Sequence, residues 1–136
     1  MAFQRDYMLN EARKFALLLA KLSSLKAEGQ VDEYSDAFNN ILKEEYSLEL
    51  AKLVDLSEDH LKQLLKEQDY SPEKLNALGQ MLYVFAEPFK NNEATTLLLS
   101  KVLLIFDCLE TKHHYQSLDN ITKQRHIYQF FKDNYE

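Results

Sequence analysis

Between Ala94 and Glu110 the chain reads ATTLLLSKVLLIFDCLE, which is apolar on nearly every side of a helical wheel. At about 100° per residue, Thr95, Thr96, Ser100, Asp107 and Glu110 share one side, with Leu99, Leu103 and Phe106 interleaved among them. That pattern predicts a central helix covered by neighbours on more than one side. A membrane span is the competing reading, but Lys101 and Asp107 interrupt a segment shorter than the roughly 20 apolar residues a bilayer requires.

The rest of the chain supplies the neighbours. Tyr7, Leu9, Ala12, Phe15, Leu18, Leu19, Leu22 and Leu25 recur at near-helical spacing over 3–27, and Glu28-Gly29 supplies a stop. Tyr34, Ala37, Phe38, Ile41, Leu42 and Tyr46 signal a second helix over 31–46, so a short link predicts an antiparallel hairpin. A one-to-two-turn connecting helix is expected over 48–54. Ser57-Glu58-Asp59 and Ser71-Pro72-Glu73 both read as helix starts: a serine caps free N–H groups, acids occupy the first turn, and Pro72 sits where no N–H is needed. They open helices over 58–67 and 72–90, the second carrying the stripe Leu75, Leu78, Leu82, Phe85 and Phe89, with Pro88 expected to kink or stop it. The central helix then spans 93–112 and a last one 119–134.

Composition agrees with this all-α pattern. Two Gly and two Pro in 136 residues leave little from which to build turns, and the length suits one domain, 1–136, with no linker. A net charge of −6, with cations scattered among acids, argues against a nucleic-acid partner. One cysteine excludes an internal disulfide, and the N-terminus lacks signal-peptide order, so a reducing, cytoplasmic setting without a membrane partner is expected.

Candidate chemistry is sparse. His113 and His114 are adjacent, and side chains one residue apart on a helix diverge, so they read as solvated helix-end histidines. Cys108 lies on an apolar line with Leu97, Lys101 and Leu104, as a small buried hydrophobe does. Lys101 is out of place on that line. The expectation is a stem along the core with its ammonium reaching water or an acid. Glu44, Glu45, Glu49 and Asp55 form no helical set with histidine, and the isolated Gly29 and Gly79 build no phosphate loop. No catalytic residue, metal or cofactor is assigned. A second stripe of Ala77, Met81, Val84 and Pro88, and the aromatic set Tyr128, Phe131 and Tyr135, are apolar beyond what one contact needs. Met81, Val84, Tyr128, Phe131 and Tyr135 are therefore the candidate partner-binding residues.

Leu75-x-x-Leu78-Gly79-x-x-Leu82 resembles the Leu-Gly core of a tetratricopeptide-repeat helix, and Gly29 followed by Tyr34-Ser35-Asp36-Ala37 resembles the opening of the second repeat helix. More broadly, Asp6-Tyr7-Met8, the run Leu53 to Leu61 and Tyr115-Gln116-Ser117 resemble the pattern of a family of small bacterial all-helical proteins without an assigned activity. The resemblance implies six to seven helices in tetratricopeptide-like antiparallel hairpins. The function expected from this is a non-enzymatic module that binds a protein, a peptide or a second copy of itself. The alternative is a small enzyme or small-molecule binder whose site is assembled by folding from His60, His126, Arg125 or Lys101.

Overall fold

The computed structural model describes the backbone of residues 2–135 and the side chains of residues 9–135. The Asp6-Tyr7-Met8 opening lies outside the described side chains. Seven helices and no strands make up the described residues: α1 (Ala2–Ala27), α2 (Val31–Tyr46), α3 (Leu50–Asp55), α4 (Glu58–Gln68), α5 (Pro72–Ala86), α6 (Glu93–His113) and α7 (Leu118–Tyr135). The fold is all-α. The chain resolves into two compact units, Met1–Leu53 and Val54–Glu136, divided within α3, where no composition change marks a boundary.

Local chemistry places the helix ends. Ser57 and Ser71 accept hydrogen bonds from the backbone N–H of His60 and Lys74, at 3.1 and 3.2 Å, and Asn92 accepts from Thr95 at 2.8 Å. Each satisfies an N–H group that the first helical turn leaves without a partner. Ser117 does the same for Asn120 at the start of α7. Gly29 takes a φ of +73° after α1, a conformation that costs glycine nothing. The expected extent of α5 needs correction: it ends at Ala86 rather than near residue 90. A residue before proline is pushed out of the helical region, and Glu87 is extended, its N–H closing instead on the Val84 carbonyl.

In the first unit α1 and α2 form the expected antiparallel hairpin. Phe15 and Leu22 of α1 are buried, as are Tyr34, Phe38, Ile41, Leu42 and Tyr46 of α2. Near the open end Phe15 meets Tyr46, ring centroids 6.2 Å apart, and Lys14 pairs with Glu45 at 2.7 Å.

The second unit is built on α6. Its buried positions Leu98, Leu99, Val102, Ile105, Phe106 and Leu109 face Leu75, Leu78, Met81 and Leu82 among the buried residues of α5, which runs antiparallel to it. The helices meet at Gly79. A Cβ there would lie 2.8 Å from the ring of Phe106 and 3.2 Å from Ile105, so only glycine permits the observed approach. Helix α7 lies parallel to α5, held by a buried amide cluster. Gln80 donates to Asn120, and Asn120 donates to Asn76 at 2.9 Å. Such a cluster is stable where each polar group finds a partner.

Urea unfolding of three variants tests this packing. Gly79→Ala gains up to about 1 kcal/mol of helix propensity but overpacks a site where insertion typically costs 1–3 kcal/mol. Urea unfolding should show a net loss of about 1 kcal/mol. The loss should shrink when Phe106→Leu is combined with it, because the two residues touch. Asn120→Ala, which leaves the buried Gln80 and the half-buried Asn76 with only their mutual 3.3 Å hydrogen bond, should cost about 1 kcal/mol by the same measurement.

Candidate functional site

Two concave regions of the second unit gather chemistry. The first is a groove of about 420 Å³ between α4 and α6, with Leu65, Leu104 and Cys108 as its apolar lining and Lys62, Lys66 and Lys112 around it. Helix α4 runs parallel to α6 here, bringing Asp69 to Lys112 at 3.0 Å. That ammonium, through its hydrogen bond and charge, holds the Asp69 carboxyl below the usual carboxylate value. Asp107 is the other acid in the groove wall. Burial pushes the Cys108 thiol above its ordinary pKa, which favours the neutral thiol over a nucleophilic thiolate.

The second is a shallow recess of about 360 Å³ along α5 and α7, lined by Tyr83, Phe89 and Phe130 together with Glu87, His126 and Asp133. Tyr83 is buried, and its hydroxyl lies 3.1 Å from Nδ1 of the exposed His126. Burial, with the negative charges of Glu87 and Asp119, pushes the Tyr83 hydroxyl up to about 12. Phe89, expected on the α5 stripe, lies beyond the end of that helix instead. Its ring stands edge-on to Tyr83 and to Phe130, at centroid distances of 5.3 and 5.4 Å.

The candidate residues from the sequence separate. Met81 is 1% exposed and lies in the core, so it offers no surface to a partner. Val84 and Phe131 are half-buried, while Tyr128 and Tyr135 are 60% and 55% exposed. Tyr135 bonds through its hydroxyl to Thr96 at 2.7 Å, which ties the end of α7 to the start of α6. These five do not form one patch, because burial has divided them between core and surface.

His60, Arg125 and His126 are exposed, and among the described residues no hydrogen bond or ion pair joins any two of His60, Arg125, His126 and Lys101. His113 ends α6 and His114 caps it in the left-handed conformation. Among the described residues no three of His, Cys, Asp and Glu converge as metal ligands, and no helix is long and apolar enough to cross a membrane.

Lys101 follows its expectation: the stem is buried, while its Nζ is not among the fully buried polar atoms left without a partner and so keeps contact with water. The residue is only 3% exposed, and among the described residues no hydrogen bond or ion pair engages its ammonium. Burial lowers its pKa, while the charges of Glu58 and Asp55 act in the opposite direction from beyond ion-pair distance.

With this geometry in view, comparison with protein-family models, with curated proteins and with solved structures finds no match.

The residues of both concave regions were visible in the sequence only as separate positions. Lys62 and Lys66 share a helical face at i, i+4, as Leu104 and Cys108 do, so each wall of the groove had a local signal but their meeting had none. Nothing local joins Tyr83 to His126, 43 residues away.

Replacing Lys101 tests the burial argument. Because the folded lysine gives up its proton more readily than an unfolded one near the ordinary 10.5, the folded chain binds fewer protons in the window below that value. The lysine's contribution is therefore least favourable at neutral pH and improves as pH rises through that window. Lys101→Met should raise stability at neutral pH, by less than removal of a fully buried charge would, because the ammonium keeps contact with water. In urea unfolding followed by circular dichroism, the advantage should narrow as the pH approaches 10.5.

Proposed function

We propose that this protein is a non-enzymatic interaction module whose α4–α6 groove receives a helical segment of another protein. The observation that carries this reading is the juxtaposition of an apolar lining with Lys62 and Lys66, beside a Lys112 already paired with Asp69 and with Asp107 as the acid of the lining, in a chain of net charge −6. A parallel helix pair presents a channel that suits a third helix, with apolar side chains inserted and charged ones along the edges. Charge complementarity then specifies the partner: aliphatic anchors at i, i+3 or i+4 flanked by Asp or Glu. The half-buried neutral Cys108 suits a contact role in that lining rather than nucleophilic chemistry. The separation of His60, Arg125, His126 and Lys101 supports binding over catalysis. The expected reducing, cytoplasmic setting and the resemblance of the α5 Leu-Gly core to a tetratricopeptide-repeat helix fit the same reading.

Cys108 is the chain's single cysteine, so its alkylation reports on the groove directly. A synthetic amphipathic helix with leucine anchors and glutamate flanks should slow alkylation by N-ethylmaleimide, and Lys62→Glu/Lys66→Glu should weaken that protection about tenfold, ~1.4 kcal/mol. The same peptide with lysine in place of glutamate should protect poorly, and added salt should reduce the effect. Unchanged alkylation at saturating peptide would overturn the assignment of this groove. Protection that depends on protein concentration without peptide would replace the heterologous partner with a second copy of the chain.

A further inference from the structure

The α5–α7 recess lies apart from the lysine-rimmed groove in its lining, and its chemistry is opposite. Three aromatic rings and two carboxylates line it. Tyr83 and Phe89 stand at 82° to each other, and Phe89 and Phe130 at 71°, so successive rings form adjoining walls rather than a flat stack. The face of an aromatic ring carries partial negative charge, and cations are held over it with about 0.5–2 kcal/mol per ring. The chain already uses Tyr83 in this way. The ammonium of Lys123 lies 5.4 Å from its ring centroid while pairing with Asp119 at 2.7 Å.

From this arrangement we infer that the recess bounded by Tyr83, Phe89 and Phe130, with Glu87 and Asp133 in its lining, is a binding site for an alkylammonium group. The rings supply polarizable walls, and the carboxylates supply the charge that a neutral apolar guest would not use. The remaining polar groups are compatible with a cation. Gln129 directs its amide N–H to Asp133 at 2.8 Å, and His126 engages the Tyr83 hydroxyl through Nδ1. The raised pKa of Tyr83, due first to burial and then to Glu87 and Asp119, reports the same negative potential, which penalises a phenolate and favours a cation. A shallow mouth admits a headgroup or the end of a side chain, not an enclosed ligand.

The test is a titration of the full ¹⁵N-labelled chain with choline and, separately, with its uncharged isostere 3,3-dimethylbutan-1-ol. Choline should shift the backbone amides of residues 83–89 (except Pro88) and 126–133 saturably, and the alcohol should not. Nα-acetyl-lysine methylamide, run as a second arm, distinguishes a free ammonium headgroup from a peptide side chain as the natural guest, and saturable binding of either cation supports the site. Glu87→Gln/Asp133→Asn, substitutions of matching shape at exposed positions, should weaken binding at least about tenfold. Phe130→Leu should weaken it while leaving the helical circular dichroism unchanged. Equal shifts from choline and the alcohol, no saturable shift from either cation, or unaltered affinity in the double carboxylate variant would each overturn the inference. None of these outcomes depends on whether the α4–α6 groove binds a peptide.

Discussion

The approach of α5 to α6 at Gly79 is the contact from which the second unit is built. Glycine in a helix interior costs about 1 kcal/mol relative to alanine, and here the missing side chain is the space taken by the Phe106 ring. The burial of Leu78, Leu82, Ile105 and Phe106 around that point offsets the cost. Once α5 is seated against α6, its remaining sides are committed as well. Asn76 and Gln80 meet Asn120 of α7, and the end of α5 places Tyr83 beside His126. An amide cluster in such a position contributes less to total stability than to orientation, because a rotated or slipped α7 would leave buried polar groups without partners.

The same packing sorts charge. An overall charge of −6 would suggest a uniformly acidic surface, yet the α4–α6 groove is surrounded by three lysines while the α5–α7 recess carries Glu87 and Asp133. Association through charged surfaces depends on local potential more than on net charge. The two regions thus differ in the charged side chains they gather. Lys101 lies between these roles: it is on α6, but it is buried instead of joining the lysines around the groove. Its desolvation is a cost that Glu58 and Asp55 only partly offset.

Several features were legible because they are local. The serine caps at Ser57 and Ser71, the stop at Gly29, the central helix and the ends of α1 and α2 all follow from chemistry within one helical turn. The one clear displacement, the end of α5 at Ala86, follows from Pro88, whose presence was evident but whose effect reached back farther than the periodicity suggested. Met81 shows the opposite case. Its stripe beside Leu78 and Leu82 is apolar whether it faces a partner or the core, and hydrophobic periodicity alone does not distinguish the two.

The sequence by itself determined an all-helical chain, the order of its helices and the serine caps of α4 and α5, because helix periodicity and capping act over three or four residues. Tertiary structure alone decided that Met81 is core, that the Lys101 stem is buried while its ammonium makes no ion pair, and that three lysines gather around one recess while Glu87 and Asp133 line another. Those outcomes depend on meetings between positions such as Gln80 and Asn120, 40 residues apart, and Asp69 and Lys112, 43 apart. Spacing along one helix does not encode which face of another helix will cover it. That choice is made by the fit of side-chain volumes and by the cost of leaving a buried polar group without a partner.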